Sequence, residues 1–321
     1  MPKITLLKRI SLVCLLLCSV MTARADQPAR NLTVIVPQVP PPFDQIFTEI
    51  LEGIKSEASG QVNSISLSED ATGDEIDTSL QSQPDAAVIG LGNRAKKILK
   101  PLQSQYEITY GAVFLNPDEE PPGMKGISLT PSPDATFKWL HTLVPDITTV
   151  HVVYQEKYNG WLIKQAQSAA PKYSLTVINH TVENVREAAA EFRRIFDTAD
   201  SATDAIWLLQ RDPSLDEKAT VPEILERAWS EDFVVFSSNP SHVPRGALFA
   251  LYPDNRQMGR SLARLAGTPE TSTATQLPET TPGIVPLNDL LIAVNIRTAS
   301  HVGKTFARSE EKQFDLIFPN R

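Results

Sequence analysis

The stretch FVVFSSNPSHVPRGALFALYPDNRQMGRSLARLA, residues 233–266, decides the fold of this chain of 321 residues. It begins with an apolar run at 233–236, which is typical of a strand buried on both faces of a parallel sheet. A polar loop follows at 237–239, a second strand leads out of the loop, and a helix is predicted to start at Asp254. Because parallel strands present their loops for ligands at their carboxyl ends, this stretch predicts a polar pocket.

On both sides of this stretch, short β-branched runs alternate with longer segments of helical period. The predicted strands are 32–36, 62–67, 86–89, 108–114, 150–154, 175–178, 205–209, 233–236 and 290–294. The predicted helices are 43–58, 74–80, 93–102, 134–143, 160–169, 185–196, 222–229 and 255–265. A Pro-rich loop at 116–123 separates two such series, and 267–283 is predicted to be a solvated connection. This alternation predicts an α/β fold with parallel sheets, arranged as two lobes in tandem.

The first 25 residues have the pattern of a secretory signal peptide. Basic residues precede an apolar run at 10–21, and a small-x-small sequence ends at Ala25. The apolar run is too short for a bilayer-spanning helix, so cleavage after Ala25 and export to the periplasm are predicted rather than a membrane anchor. The two cysteines, Cys14 and Cys18, both lie in this segment. The mature chain is therefore expected to contain no thiol and no disulfide.

The charge of the chain argues against polyanionic partners. The formal net charge is −8, and the predicted leader carries four positive charges and no carboxylate, so its removal leaves −12. An acidic protein repels nucleic acids and anionic membrane surfaces at long range. No nucleic acid partner is therefore expected. Stable membrane insertion is not expected either, because no later stretch is long and apolar enough to cross a bilayer.

The sequence contains no recognisable catalytic or metal-binding motif. Its five histidines are scattered without the helical spacing of metal ligands. A Gly-x-Ser-x-Gly elbow and a phosphate-binding Gly-rich loop are both missing from the sequence. We therefore expect a protein that is not an enzyme and uses neither a metal nor a cofactor.

Several segments together resemble a known family. They are Gly126-Ile127-Ser128, residues 140–154, Val235-Phe236-Ser237-Ser238 with Gly246-Ala247-Leu248, Asp254 with Met258-Gly259-Arg260, and residues 291–299. In order and spacing they resemble the ABC-transporter substrate-binding proteins with the type I periplasmic binding protein fold, the family that includes aromatic amino-acid binders. The resemblance extends over about 126–305.

The resemblance implies two Rossmann-like lobes with parallel sheets, joined by a hinge of three strands, that close on a ligand. The implied first lobe is 26–129 plus 251–283, and the second is 130–250 plus 284–308, with 309–321 as a loosely tethered tail. Two of the crossings are expected at 127–129 and 248–252.

Polar residues that follow the predicted strand ends are the candidate ligand contacts. They are Gln38, Asn93, Ser128, Thr130, Tyr154, Tyr158, Asn159, Asp212, Ser237, Ser238, Asn239 and Asp254. Hydroxyl and amide groups suit a ligand carboxylate, and the Asp254 carboxylate suits a ligand amine. Other roles compete: Ser237, Asn239 and Asp254 are equally suited to capping, and Tyr154 to the core. Phe43, Tyr158 and Trp161 are candidates for stacking on a flat ligand, against a plain role in the core or at the rim.

These observations predict a periplasmic solute-binding protein for a small polar ligand, with an amino acid or related molecule among the candidates. Its expected partner is an inner-membrane ABC permease. Two alternatives stay open, namely a ligand-sensing module for a membrane sensor protein and a scaffold with a degenerate pocket. The latter is favoured by Leu129 and Asn239, which stand where family members often carry acidic residues.

Overall fold

The structure is a computed structural model that describes residues 30–267 and 283–319. In these ranges the strands are β1 (Leu32–Pro37), β2 (Val62–Leu67), β3 (Ala87–Leu91), β4 (Ile108–Val113), β5 (Lys125–Pro131), β6 (Thr149–Tyr154), β7 (Thr176–Thr181), β8 (Asp204–Leu208), β9 (Val234–Ser237), β10 (Phe249–Pro253), β11 (Ile284–Leu287), β12 (Leu290–Asn295) and β13 (Leu316–Phe318). The helices are α1 (Asp44–Glu57), α2 (Gly73–Gln81), α3 (Gly92–Leu99), α4 (Pro133–Leu143), α5 (Glu156–Ala169), α6 (Val185–Thr198), α7 (Thr220–Ser230), α8 (Asn255–Gly267), α9 (Ile296–His301) and α10 (Arg308–Glu311).

The strands form two sheets, one for each lobe. The first sheet has the order β11-β5-β4-β3-β1-β2 and is parallel throughout. The second has the order β13-β12-β10-β9-β8-β6-β7, and within it β12 runs antiparallel to β10. Helices flank both sheets, so the predicted α/β fold with two lobes is confirmed. The predicted signal peptide, with Cys14 and Cys18, and most of the predicted connection 267–283 lie outside the described residues.

Apolar helix stripes cover the faces of each sheet. In the first lobe, Ile50 and Ile54 of α1 pack with Met258 and Leu262 of α8, and all four are fully buried. The helices α1 and α8 meet backbone to backbone at two glycines. A Cβ on Gly53 would lie 2.0 Å from the carbonyl oxygen of Arg256, which leaves no room for a side chain. This close approach brings α8, which follows a crossing from the second lobe, against the first sheet.

Three chain crossings connect the lobes, and they are hydrogen-bonded to one another. The chain passes from β5 to α4, from β10 to α8, and from β11 to β12. The Ser132 N–H donates to the carbonyl of Leu287 at 2.8 Å, and the Asp254 N–H donates to the carbonyl of Asp289 at 2.9 Å. Adjacent strands that cross together in this way form a hinge about which two lobes can close.

The hinge and the tail differ from the expected boundaries in two places. The third crossing was expected at residue 284, but β11 still pairs with β5 of the first sheet, so the chain crosses at 288–289. The tail was expected to be loosely tethered, whereas Leu316–Phe318 pairs in parallel with β12. The Asp315 carboxylate accepts a hydrogen bond from the Ile292 N–H at 2.8 Å, which fixes the start of this last strand.

Candidate functional site

A cleft of about 630 Å³ lies between the two lobes, at the carboxyl ends of their parallel strands. Asn93 and Lys96 on α3 line it from the first lobe, and Tyr158 and Trp161 on α5 line it from the second. Thr130 belongs to the crossing strand β5 and lies at the hinge side. Clefts at this position of doubly wound sheets are the usual place for a small ligand, because strand ends and helix N-termini converge there.

The structure brings five of the predicted contacts together in this cleft. They are Asn93, Thr130, Tyr158, Asn159 and Asp212. Helix α5 was predicted to start at residue 160 but begins at Glu156, so Tyr158 and Asn159 lie in its first turn rather than in a loop. The backbone N–H groups of both residues donate to the carbonyl of Gln155 at 3.1 Å. Their side chains are therefore held by a helix and not by a flexible segment.

Asp212 organises the wall of the cleft contributed by the second lobe. One carboxylate oxygen accepts from the Gln155 N–H at 3.0 Å and from the Asn159 amide at 2.8 Å. The other accepts from the backbone N–H and the hydroxyl of Ser214, at 2.9 and 2.5 Å. Asp212 is only 5% exposed, and its two oxygens receive these four donors. It therefore positions the loop after β8 against the start of α5, with little capacity left for a ligand.

An ion cluster closes the first-lobe side of the cleft. Lys96 and Lys100 contact the two carboxylate oxygens of Glu120 at 2.5 and 3.1 Å. Burial alone would raise the pKa of Glu120, but the hydrogen bonds and charges of the two ammonium groups outweigh it and lower the pKa below its ordinary value. Glu120 is therefore ionised at neutral pH and neutralises part of the positive charge of α3.

A β-bulge directs Phe114 into the cleft. The pairing of β4 with β5 shifts between Tyr110 and Val113, where Ala112 takes a left-handed conformation with φ of +55°. Such a bulge adds a residue to one strand and changes the alternation of its side chains. Phe114 follows the bulge and lines the cleft, where the guanidinium of Arg211 from the other lobe lies 4.7 Å from its ring centroid.

Two further contacts cross the cleft beside this stack. The side-chain amide of Asn116 donates to the backbone carbonyls of Lys157 and Tyr158, at 3.3 and 3.4 Å. Asn116 follows β4 of the first lobe, whereas Lys157 and Tyr158 belong to α5 of the second. Together with the pair of Phe114 and Arg211, these hydrogen bonds connect the two lobes across the cleft.

The polar residues after β9 do not line the cleft. Ser237 is 1% exposed and Ser238 is 4% exposed. The Ser238 hydroxyl accepts from the indole N–H of Trp207 at 3.0 Å, and Asn239 caps the 3₁₀ segment Pro240–Arg245. That segment folds over the end of β9, and the side chains are used locally. Whether any of these residues contacts a ligand stays a prediction.

Ser237 has a histidine beside it that no sequence motif predicted. Its hydroxyl lies 2.8 Å from Nδ1 of His242, and Nε2 of His242 lies 2.9 Å from both oxygens of Glu217. Burial lowers the pKa of His242 despite the opposing effect of the Glu217 carboxylate. The arrangement has the order of a serine, a histidine and a carboxylate. However, the Ser237 hydroxyl is buried and also contacts the Leu208 carbonyl and the Asn239 N–H, so a substrate carbonyl has no access to it.

The remaining predicted contacts, Gln38, Tyr154, Ser128 and Asp254, are not among the residues that line the cleft. Gln38 is exposed after β1, and Tyr154 is 3% exposed in the core of the second lobe, where its hydroxyl donates to Glu156. The buried Ser128 hydroxyl accepts from the Leu115 N–H at 3.0 Å and supports the segment after the bulge. Asp254 accepts from the Gln257 N–H at 3.0 Å and caps α8 at a crossing.

Phe114, Arg211 and Lys96 line the cleft but were not predicted from the sequence to do so. Phe114 depends on the bulge at Ala112, and Arg211 lies two residues beyond a predicted strand end in a left-handed conformation. No periodic sequence pattern predicts the bulge at Ala112 or the left-handed conformation of Arg211. The proximity of Arg211 to the predicted strand end was the one signal that could have found it.

The chain is similar to known substrate-binding proteins. Residues 114–268 match the family model described as ABC transporter substrate binding protein. The ligand-free, open structure of a substrate binding protein with adhesive properties from Clostridium difficile aligns with 91% of this chain and 100% of its own. Its TM-score is 0.61 and its sequence identity 14%. The ABC domain in complex with L-Trp from Streptococcus pneumonia aligns with 90% of this chain and 99% of its own, with a TM-score of 0.47 and 17% identity. No curated protein matches the chain.

The fold is therefore that of a type I periplasmic binding protein. The predicted resemblance to ABC-transporter substrate-binding proteins is confirmed over residues 126–268, where the predicted range 126–305 overlaps the matching family model. Across 30–267 and 283–319, no three histidine, cysteine or carboxylate side chains are grouped as a metal would require. Over the same ranges no helix has both the length and the apolar character to cross a bilayer.

Proposed function

We propose that this protein is an exported solute-binding protein that captures a small polar molecule in the cleft between its lobes. The observation that carries the proposal is the cleft itself, whose volume of about 630 Å³ matches that of small-molecule sites. Both lobes contribute side chains to it, and a hinge of three crossings lies at its base. A ligand that contacts both walls favours the closed arrangement, because its binding free energy depends on the lobes being together.

The lining of the cleft favours a ligand with polar groups and a flat apolar part. Thr130, Tyr158 and Gln210 offer hydroxyl and amide groups, while Phe114 and Trp161 offer ring surface. An amino acid or a related molecule has this combination. The interpretation as a binding protein rather than an enzyme is supported by the lining residues, since within the described chain no accessible nucleophile with a neighbouring base lies among them.

The proposed partner is an ABC-type permease in the inner membrane. Two observations support this, namely the family model matched by residues 114–268 and the signal-peptide pattern at the start of the chain. The periplasm is accordingly the proposed location.

Retention of a metabolite by the purified protein tests the proposal. The protein is incubated with a metabolite extract, separated from free compounds by gel filtration and denatured, and the released compounds are identified by mass spectrometry. We expect one compound retained at about one per chain. The variant Asn93→Trp, which places a large ring at an exposed position lining the cleft, should lose it. Lys97→Trp is the control, since Lys97 is exposed one turn further along α3. Equal retention by Asn93→Trp, or none by the wild type, would contradict the proposal.

A further inference from the structure

Arg211 is a cation in the cleft without an anionic partner. Among residues 30–267 and 283–319, no carboxylate lies within ion-pair distance of its guanidinium, and none of its N–H groups donates to an acceptor. Its one described interaction is the stack on Phe114 at 4.7 Å. A guanidinium has five N–H donors in a planar fork that matches a carboxylate or a phosphate. These donors are available to a molecule in the cleft.

The other charged groups of the cleft are mostly satisfied by the protein. Lys96 is paired with Glu120, and the Asp212 carboxylate receives four protein donors. Glu119 is the other lining group whose charge has no partner in the described part of the chain. Its carboxylate is compatible with a ligand that carries an ammonium in addition to an anionic group.

A second free donor lies on the same lobe. Trp161 is 7% exposed and lines the cleft, and its indole N–H has no acceptor among the described residues. In that part of the chain, Arg94 Nε is the one fully buried side-chain nitrogen or oxygen without a partner. The Trp161 N–H is therefore accessible to solvent, and the cleft is the open space that Trp161 lines. An indole N–H can only donate, so it too favours an acceptor on the ligand.

The backbone at Arg211 supports a role beyond packing. Its φ of +61° lies in the left-handed region, which is unfavourable for a residue with a side chain. The contact of the guanidinium with the Phe114 ring offsets part of this cost. Strain of this kind that persists at a cleft is a reason to look for a ligand contact.

We infer that the captured molecule carries an anionic group, a carboxylate or a phosphate, which the Arg211 guanidinium binds with help from the Trp161 indole N–H. This inference rests on the proposed function. It also gives the stack on Phe114 a role, because the same guanidinium contacts both the ligand and the opposite lobe. Binding of the anion from the second lobe thereby fixes a group that touches the first lobe, which favours closure.

The test compares matched probes and matched arginine variants by titration calorimetry. The probes share a phenyl ring and differ in charge: 3-phenylpropionate, L-phenylalanine, phenyl phosphate, L-phenylalaninamide and 2-phenylethylamine. We expect the carboxylate or the phosphate probes to bind at least tenfold more tightly than the amide and the amine. Comparing the affinities of 3-phenylpropionate and phenyl phosphate shows whether the site prefers a carboxylate or a phosphate.

The variants then assign the effect to Arg211. Arg211→Gln should weaken the binding of the tightest acid probe and of the retained metabolite at least tenfold. Arg211→Lys should restore only part of this affinity, because lysine lacks the planar fork of the guanidinium. Trp161→Phe should weaken the binding of the same compounds less than Arg211→Gln does, since it keeps an aromatic ring and removes only one donor. Arg186→Gln is the control, because Arg186 is exposed on α6 outside the cleft. Melting curves verify that each variant is folded.

The outcomes distinguish this inference from the function on which it rests. If a compound is retained but carries no anionic group, or binds Arg211→Gln as tightly as the wild type, the inference is wrong while the binding function stands. If no compound is retained and no probe binds, both are wrong.

Discussion

Replacing Gly259 by alanine tests how α1 and α8 are packed under the first sheet. A Cβ at this position would lie 2.1 Å from the carbonyl oxygen of Ile50 and 3.0 Å from the backbone nitrogen of Ile54. Both neighbours are backbone atoms of α1, so no side chain can rotate away to make room. Carbon and oxygen atoms rarely approach closer than about 3.3 Å, so the helices must separate by roughly 1.2 Å.

The expected effect is a net loss of stability, although alanine is the better helix former. The change from glycine to alanine inside a helix contributes about 1 kcal/mol in favour of folding. Overpacking costs about 1–3 kcal/mol, and the upper end applies here because the clash is between backbones. Gly259→Ala should therefore lower the free energy of unfolding by about 2 kcal/mol. That corresponds to a decrease in Tm of roughly 4–8 °C for a domain of 150–250 residues.

Urea and thermal unfolding followed by circular dichroism measure this change. Gly267→Ala is the control in the same helix, because a Cβ there meets no atom within 4 Å. The control should be as stable as the wild type or more stable by up to about 1 kcal/mol. A Gly259→Ala protein at least as stable as the control would refute the packing described for these helices.

Three further predictions concern polar groups. Burial lowers the pKa of His180 and of His242 in the folded protein, so protonation favours the unfolded chain. The free energy of unfolding should therefore be highest above the unfolded-state pKa of about 6.5 and should fall as the pH decreases below it. His242→Gln should make this fall smaller, which urea midpoints measured between pH 7.5 and 5.5 check. Asp212→Ala leaves four donors without their acceptor and should lower the free energy of unfolding, measured by urea titration, by about 2–4 kcal/mol. A decrease of less than about 0.5 kcal/mol would contradict the role of Asp212 in positioning the loop after β8. Asp254→Ala removes the cap of α8 and should lower the free energy of unfolding by about 1 kcal/mol in the same assay. An unchanged free energy of unfolding would exclude the cap.

The main features of the fold could be predicted because they depend on local patterns. The alternation of apolar runs and amphipathic segments predicted both series of strands and helices, and parallel strands then require the ligand cleft to lie at their carboxyl ends. The strand β13 was missed because three residues at the edge of a sheet carry too little periodicity to be recognised. Its position depends on pairing with β12, which is a tertiary contact.

The site was harder to predict than the fold. Predicted strand ends suggested Asn159 and Asp212, and both line the cleft, although Asn159 lies in the first turn of α5 and Asp212 in the loop after β8. Ser237 is the last residue of β9, but the 3₁₀ segment Pro240–Arg245 folds over that strand end and buries Ser237. Arg211 and Phe114 lie in the cleft because of left-handed backbone at Arg211 and at Ala112. A sequence pattern contains no information on such conformations when the residues are not glycine.

The distance between the lobes in the presence and absence of ligand tests the central claim most directly. Spin labels on Lys97→Cys in the first lobe and Lys218→Cys in the second, in a chain whose Cys14 and Cys18 are changed to serine, report this distance by electron–electron double resonance; both lysines are exposed. Addition of the compound that the protein retains should shorten the distance and narrow its distribution, and Asn93→Trp should abolish the change. A distance that stays the same when that compound is bound would contradict capture by closure of the two lobes.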